Sequence, residues 1–345
     1  MTNQHEITKR MPLLNREGNL TEPGWARGLL WDYHRPDIRA SGMRIKEWDY
    51  YFVSNGHIGL ALTIADNGYM GLDSVSYLDF DEKWEITKSP MRLLPMGKTA
   101  LPETSAAGSS EIARGGYALA FYHDDDGTRK LTFHMDKFRG KDAIEGMISL
   151  SDEPAESMVI ATPFEKSGHF YYNQKINCMR AAGWIELGGA RVELDPKTWF
   201  AVLDWGRGVW TYHNTWYWGS ASGEVDGVPF GWNIGYGFGD TSAASENVLF
   251  YGGKIHKLSQ VRFEIPMQDG KEDYLKPWRF SSDDGRFEMA FTPILNRAAY
   301  TSVGVIKSDQ NQVFGRFTGT AALDDGTVLQ VNDFFGFAEK VENKW

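Results

Sequence analysis

The chain has 345 residues, of which 37 are glycine and 14% are aromatic, and its formal net charge is −10. This acidic balance disfavours a general nucleic-acid binder, which needs clustered lysine and arginine facing phosphate. No stretch approaches the roughly 18 uncharged apolar residues of a membrane-spanning helix, and the amino terminus has no apolar signal core. The single cysteine, Cys178, excludes an intrachain disulfide and agrees with a reducing compartment. We therefore expect a cytoplasmic protein without membrane insertion.

The first half of the chain predicts a strand meander behind an amino-terminal strap. Residues 1–41 are polar and interrupted by proline, with apolar anchors that would pack across a barrel or sandwich. Residues 43–81 alternate strand-like runs with Asn55-Gly56 and Asn67-Gly68, which predict type I′ hairpin turns because both central residues of that turn need positive φ. Residues 95–116 are small, polar and glycine-rich, so we expect a loop or covering flap there.

The remaining chain continues the same layout. A hairpin is predicted across the acidic turn Asp124–Gly127, and the halves divide near Asn173, giving domains of residues 1–173 and 174–345. Turn signals recur in the second half at Asp226-Gly227, Gly252-Gly253, Asp269-Gly270, Asp284-Gly285 and Asp325-Gly326. No stretch sustains the apolar spacing of a helix, so helices should be few and short. The pattern predicts an all-β barrel or sandwich.

The densest aromatic segment runs from Trp199 to Asp240 and holds six of the thirteen tryptophans. In one extended strand the side chains of residues 210, 212, 214, 216 and 218 would share one face, and those of residues 211, 213, 215 and 217 the other. Aromatic groups would then occupy both faces. Such a strand either crosses a large β core or lines a cavity for a broad apolar ligand.

Four motifs carry a family resemblance: KEWDYYFV (residues 46–53), FGWNIGYGFGD (230–240), SENVLFYGGKIHKL (245–258) and QVFGRFTG (312–319). They resemble a bacterial family known as domain of unknown function 2804, and the likeness extends over nearly the whole chain. That family is similar, more distantly, to hydroxyneurosporene synthase (a carotenoid hydratase), the AttH-like proteins and tocopherol cyclase. The resemblance implies two lipocalin-like, calycin-type antiparallel β-barrels in tandem.

The resemblance also points to one short motif. The AttH-like and carotenoid-hydratase proteins carry an aromatic-Asp-basic-Trp-Gly motif entering their second barrel, and the nearest counterpart here is residues 203–207, LDWGR. In this chain the basic residue, Arg207, follows the Trp-Gly pair instead of preceding it.

The candidate catalytic residues lie in the same segment. Asp204 is the candidate proton donor or acceptor, and Arg207 the group that tunes it. A spacing of three sends their side chains to opposite faces of a regular strand, so their pairing requires a bulge, which Gly206 permits. His213 is an acid–base candidate by its intrinsic pKa, and Tyr212 or His213 would position water. The alternatives are a structural ion pair at a barrel end and a hydrogen-bonded histidine without a catalytic role.

The candidate ligand-binding residues are mostly tryptophans, which can stack on a polyene, a steroid or a sugar ring, or stabilise a carbocation. They are Trp48, Trp205, Trp210, Trp216, Trp218 and Trp232, with Asn233 as a hydrogen-bonding group. Core packing is the alternative for each tryptophan. Glu47 and Asp49 share one strand face and would be an acid and base for hydrolysis, or would pair with Arg44 and Lys46 at a barrel rim.

Three functions remain open from the sequence. The first is an enzyme that hydrates, eliminates water from or cyclises an apolar terpenoid, polyene or lipid-like substrate without a cofactor. The second is a lipocalin-like carrier of a lipophilic ligand. The third is a carbohydrate-active β-sandwich hydrolase. The histidines show no paired metal-ligand spacing, so no metal site is predicted, and the sequence does not indicate an oligomeric state.

Overall fold

The computed structural model describes residues 4–124, 126–304 and 306–344. Within these residues the chain is built almost entirely of β-strands, and the only helices are the 3₁₀ turns Arg35–Asp37 and Gly42–Arg44. The prediction of an all-β fold with few short helices is confirmed. Asp125 of the predicted acidic turn, the first three residues of the predicted strap and Trp345 lie outside the described residues.

The first part of the chain forms strands β1 to β16. They are β1 (Met11–Pro12), β2 (Gly24–Ala26), β3 (Trp31–Asp32), β4 (Ile45–Ser54), β5 (Ile58–Asp66), β6 (Met70–Asp79), β7 (Trp84–Lys88), β8 (Met91–Leu93), β9 (Gly108–Arg114), β10 (Tyr117–His123), β11 (Arg129–Arg139), β12 (Asp142–Ser151), β13 (Met158–Pro163), β14 (Phe170–Leu187), β15 (Ala190–Leu194) and β16 (Phe200–Val209).

The second part forms strands β17 to β27. They are β17 (His213–Val225), β18 (Val228–Tyr236), β19 (Val248–Tyr251), β20 (Lys254–Lys257), β21 (Val261–Glu264), β22 (Met267–Gln268), β23 (Lys271–Glu272), β24 (Trp278–Ser282), β25 (Phe287–Val303), β26 (Ile306–Ala322) and β27 (Val328–Lys344).

Two curled antiparallel sheets contain most of these strands. The large sheet has the order β7-β6-β5-β4-β16-β14-β12-β11-β10-β9, and the small sheet has the order β20-β19-β18-β17-β27-β26-β25-β24-β21. Each sheet bends back on itself, because β9 contacts β5 and β11 contacts β7 in the first, while β18 contacts β21 in the second. Both have the lipocalin-like barrel architecture that the family resemblance implied. Their interiors are filled by two separate apolar clusters.

The chain passes from the large sheet to the small sheet between Val209, where β16 ends, and His213, where β17 begins. The boundary expected after Asn173 falls inside β14, a long strand that pairs with β12, β13, β15 and β16 of the large sheet. The division into two domains therefore stays a prediction. We propose that, if each sheet is one domain, the connection lies at residues 210–212.

The predicted hairpins form, but not all of them use the predicted turn. Gly56 and Gly68 have φ of +81° and +78°, whereas Asn55 and Asn67 are not among the residues with positive φ. The Asn55 side-chain oxygen instead accepts hydrogen bonds from the backbone N–H groups of His57, at 3.0 Å, and Ile58, at 2.9 Å. These hairpins are therefore wider than type I′. Asp226-Gly227 does have positive φ at both residues, as that turn requires.

Other local predictions hold in part. The hairpin of β10 and β11 forms as expected. The predicted flap over residues 95–116 is a loop only as far as residue 107, because β9 then joins the sheet edge beside β10. The predicted strap packs on the large sheet, where β2 pairs with β13.

The two halves pack through the outer faces of their sheets. Strand alternation sends Leu203 and Trp205 into the core of the large sheet, while Val202 points outward. Outward residues from both sheets form one shared apolar cluster, in which Phe52 contacts Phe314 with ring centroids 5.1 Å apart. In the described part of the chain, no helix is long and apolar enough to span a membrane.

Candidate functional site

A cavity of about 310 Å³ lies between the outer faces of the two sheets. Two rows of side chains face each other across it. Partners in an antiparallel ladder lie side by side and share a face. The row on the large sheet is Lys175, Asp204, Tyr50, Thr63 and Ser74, each the ladder partner of the next. The row on the small sheet is Arg297, Gln312, Glu339 and Trp218.

Aromatic rings form one wall of the cavity. The Trp210 ring lies 5.3 Å from that of Trp48, 5.8 Å from that of Trp216 and 4.8 Å from that of Phe238, all edge to face. Tyr171 stacks on Trp48 with ring centroids 6.2 Å apart. A ligand in the cavity therefore meets aromatic rings on this wall and polar side chains elsewhere.

Gly206 determines where Trp48 lies. The two residues are ladder partners, and a Cβ atom on Gly206 would be 1.9 Å from Cζ2 of Trp48. The indole thus lies directly over the glycine, and its Nε1 reaches Asp204 at 3.2 Å. The Gly206 of the LDWGR motif is needed for this close approach, and not for a bulge.

Asp204 is held in the cavity wall by an ion pair and two hydrogen bonds. Its Oδ2 lies 2.8 Å from Nζ of Lys175, and its Oδ1 accepts from Nδ2 of Asn173 at 2.6 Å as well as from Trp48. Lys175 also lies 4.0 Å from the centre of the Trp218 ring. Both charged groups are almost fully buried, so each depends on the other for compensation.

Two further carboxyl groups open into the same cavity. Burial raises the pKa of Glu339 to about 7, although a hydrogen bond from Nε1 of Trp216 at 2.8 Å and the charges of Arg297 and Lys175 oppose the rise. Burial likewise raises the pKa of Glu246, against the charge of Lys175. The site therefore combines the ion-paired Asp204 with a carboxyl group whose pKa is raised to about 7.

Five of the predicted site residues meet at this cavity. They are Trp48, Asp204, Trp210, Trp216 and Trp218. The predicted alternation holds within β17, where Trp216 and Trp218 face the cavity while Tyr217 stacks on Tyr236 at 4.4 Å. It does not extend back to Trp210, because β16 ends at Val209 and the chain turns before β17 begins.

The predicted pairing of Asp204 with Arg207 does not form. β16 pairs with β4 without a register shift, so the two side chains lie on opposite faces of the sheet. Arg207 is fully buried inside the large sheet, where it contacts Asp49 at 3.0 Å and lies 4.2 Å from the centre of the Trp205 ring. Glu47 is nearby and is bound by the Tyr33 hydroxyl at 2.7 Å.

The remaining predicted residues also lie away from the cavity lining. Tyr212, just before β17, and His213, its first residue, are both exposed. Trp205 is buried in the core of the large sheet and Trp232 in that of the small sheet. Asn233 does not line the cavity but forms hydrogen bonds with two residues that do. Its Oδ1 accepts from Nε1 of Trp218 at 2.7 Å, and its Nδ2 donates to Glu246 at 3.2 Å.

The sequence prediction missed Lys175, Arg297, Gln312 and Glu339. The available signal was a charged residue inside a strand rich in aromatic and apolar residues, as Lys175 is in FYYNQKINCM and Glu339 in FFGFAEKV. That signal marks the residue but not its neighbours in the ladder. In the described part of the chain, no group of three or more His, Cys, Asp or Glu side chains is arranged to hold a metal ion.

Comparisons with known proteins concern the fold. No curated protein matches the sequence. An AttH-like protein from Nitrosomonas europaea is 14% identical, with a TM-score of 0.54 over 86% of this chain and 92% of that chain. Kievitone hydratase from Nectria haematococca is 8% identical, with a TM-score of 0.49 over 97% and 98% of the two chains. CghA is 10% identical, with a TM-score of 0.47 over 97% of each chain.

One family model matches the sequence itself, over residues 4–345, and it is described as a domain of unknown function, DUF2804. The match spans the strands of both sheets and both rows of cavity residues. The chain belongs to the DUF2804 family.

Proposed function

We propose that the protein is an acid–base enzyme that adds water to, or removes water from, a small and largely apolar molecule held between its two halves. One observation supports this most strongly. A single aromatic cavity contains Asp204 as an ion-paired carboxylate and Glu339 with a pKa raised to about 7. Carboxyl groups whose environments push them into different protonation states are the usual sign of an acid and a base.

In the proposed hydration, Glu339 donates its proton to one carbon of an alkene. The positive charge then develops on the other carbon, where indole faces and the Asp204 carboxylate stabilise it. Water attacks this carbon, and its spare proton passes to a carboxylate of the site, which restores the starting charge. Elimination of water is the same sequence in reverse. Cyclisation follows if an internal nucleophile replaces the water.

A carrier without chemistry is the second candidate, and the aromatic wall around Trp48 favours it equally well. Only the ion-paired Asp204 beside Glu339, whose pKa is raised, argues for turnover. We do not extend the proposal to carbohydrate hydrolysis, since Glu47 and Asp49 are bound by Arg207 and its neighbours inside the large sheet.

The test is turnover of terpenoid and polyene alkenes in water labelled with a heavy oxygen isotope. Mass spectrometry then follows the incorporation of the labelled oxygen into the product. Glu339→Gln should lower the rate on the order of 10²–10⁴-fold, the usual contribution of a general acid. Glu264→Gln, which removes an exposed carboxylate on β21, is the matched control. The wild-type rate should fall as the pH rises above about 7, because the donor must be protonated.

Full activity of the Glu339→Gln variant would overturn the assignment of the proton donor. A protein that binds members of the panel but changes none of them would support the carrier instead. Asp204→Asn should also lose turnover while it retains binding.

A further inference from the structure

We propose that Arg297, together with Gln312 and Tyr50, binds an anionic oxygen group such as a carboxylate on a substrate whose apolar body lies toward the tryptophans. This inference rests on the proposed function and names the class of molecule that the same cavity takes, an amphipathic apolar acid.

Arg297 is a cation without a paired carboxylate. Among the described residues, none of its nitrogen atoms lies within 4.0 Å of an acidic side chain, and its one hydrogen bond is from Nη1 to the hydroxyl of Ser76 at 2.8 Å. A guanidinium has five N–H donors, so most of them remain available to a ligand. Lys175, the other cation of the cavity, is already compensated by Asp204.

The hydrogen bonds that start at Arg297 reach an acidic group only through two hydroxyls. Thr87 donates to Ser76 at 2.9 Å and shares a contact of 2.8 Å with Glu85 at the cavity edge. This chain of hydroxyls does not neutralise Arg297. A ligand carboxylate would receive a bidentate contact from the guanidinium, which is the strong form of such a bond.

Two buried polar atoms beside Arg297 also lack partners. Gln312 is the ladder partner of Arg297, and its Oε1 has no hydrogen-bond partner although the residue is only 3% exposed. The Tyr50 hydroxyl is buried near the Gln312 side chain without a hydrogen bond of normal geometry. Buried polar groups in proteins are nearly always paired. A bound oxygen group would accept a hydrogen bond from the Tyr50 hydroxyl. It would accept a second one from the Gln312 side-chain NH₂ group, once the amide has rotated by about 180° so that this group takes the place of Oε1.

The placement of the two cations defines the length of the ligand. Lys175 lies against Trp218 at one end of the small-sheet row, and Arg297 stands at the other end, beside Ser76. Arg297 and Trp218 are three strand spacings apart, about 14 Å at the usual separation of strands. A molecule anchored at Arg297 therefore presents its apolar body to Trp218 and Glu339, where the proposed chemistry takes place.

The experiment compares farnesoate with its neutral counterpart farnesamide, by titration calorimetry at pH 7 with the intact protein. The wild type should bind the carboxylate more tightly by on the order of ten- to hundredfold, the usual strength of hydrogen bonds to a charged group. Arg297→Gln should remove this preference and leave the affinity for the amide unchanged. Arg279→Gln, which removes an exposed arginine on β24 of the same sheet, should keep the wild-type preference.

Equal affinity of the wild type for both probes would overturn the inference, as would failure of both to bind or a full preference in the Arg297→Gln variant. The wild-type comparison needs no substitution, so it remains valid if the variant does not fold. The outcome is separable from that of the proposed function. A preference lost only with Arg297, in a protein that turns nothing over, would support the anion site and reject the enzyme.

Discussion

The raised pKa of Glu339 predicts a pH-dependent loss of stability that the Glu339→Gln variant should not share. In the folded protein the pKa of this carboxyl is about 7, against an ordinary value of 4.5. Below 4.5 the group is protonated in both states and has no effect. Between these values the unfolded chain loses the proton while the folded one keeps it, so the wild type becomes less stable as the pH rises.

The difference between the two pKa values corresponds to at most about 3 kcal/mol of unfolding free energy. It should be measured by urea unfolding of both proteins at intervals from pH 4 to pH 8.5. Stability of the Glu339→Gln variant relative to the wild type should increase across the window from pH 4.5 to 7 and level off above it. Glu264→Gln, at an exposed position, should show no such trend. A constant difference between Glu339→Gln and wild type at every pH would refute the reasoning.

Two further predictions concern the same cavity. Asp204→Asn leaves the buried Lys175 ammonium without its carboxylate and should lower the unfolding free energy by about 3–5 kcal/mol. The double variant with Lys175→Met should recover most of this loss. No recovery would mean that the broken ion pair is not its cause. Gly206→Ala places a methyl group on Trp48 and should cost about 1–3 kcal/mol with a shift in tryptophan fluorescence. Gly28→Ala, with no atom near the new methyl group, is the control and should change neither.

Much of the local structure follows from the sequence. Period-two alternation and Asn-Gly or Asp-Gly turns predict most strands and hairpins, because both depend on residues close together in the chain. The aromatic segment after Trp199 contains Asp204, Trp216 and Trp218, which line the cavity between the sheets. The type of turn at Asn55 was not predictable in the same way, since the asparagine side chain supplies the hydrogen bonds that a tighter turn would have formed.

The partners of these residues did not follow from the sequence. Asp204 lies three residues from Arg207 in the chain, and this proximity suggested an ion pair. The ladder instead places Lys175 beside Asp204 and sends Arg207 to the opposite face. Register between strands that are far apart in sequence depends on the whole set of buried contacts, and no local pattern encodes it.

The sequence by itself determined that this protein is all-β, that its strands carry aromatic residues on both faces, and that Asp204 stands among them. Only the tertiary structure decided where those outer faces meet. Two sheets that each fill their interior must bury their remaining aromatic face elsewhere, and here they bury it against each other. The cavity therefore lies between the halves and not inside either barrel, and Glu339 and Arg297, from distant strands, meet Asp204 there.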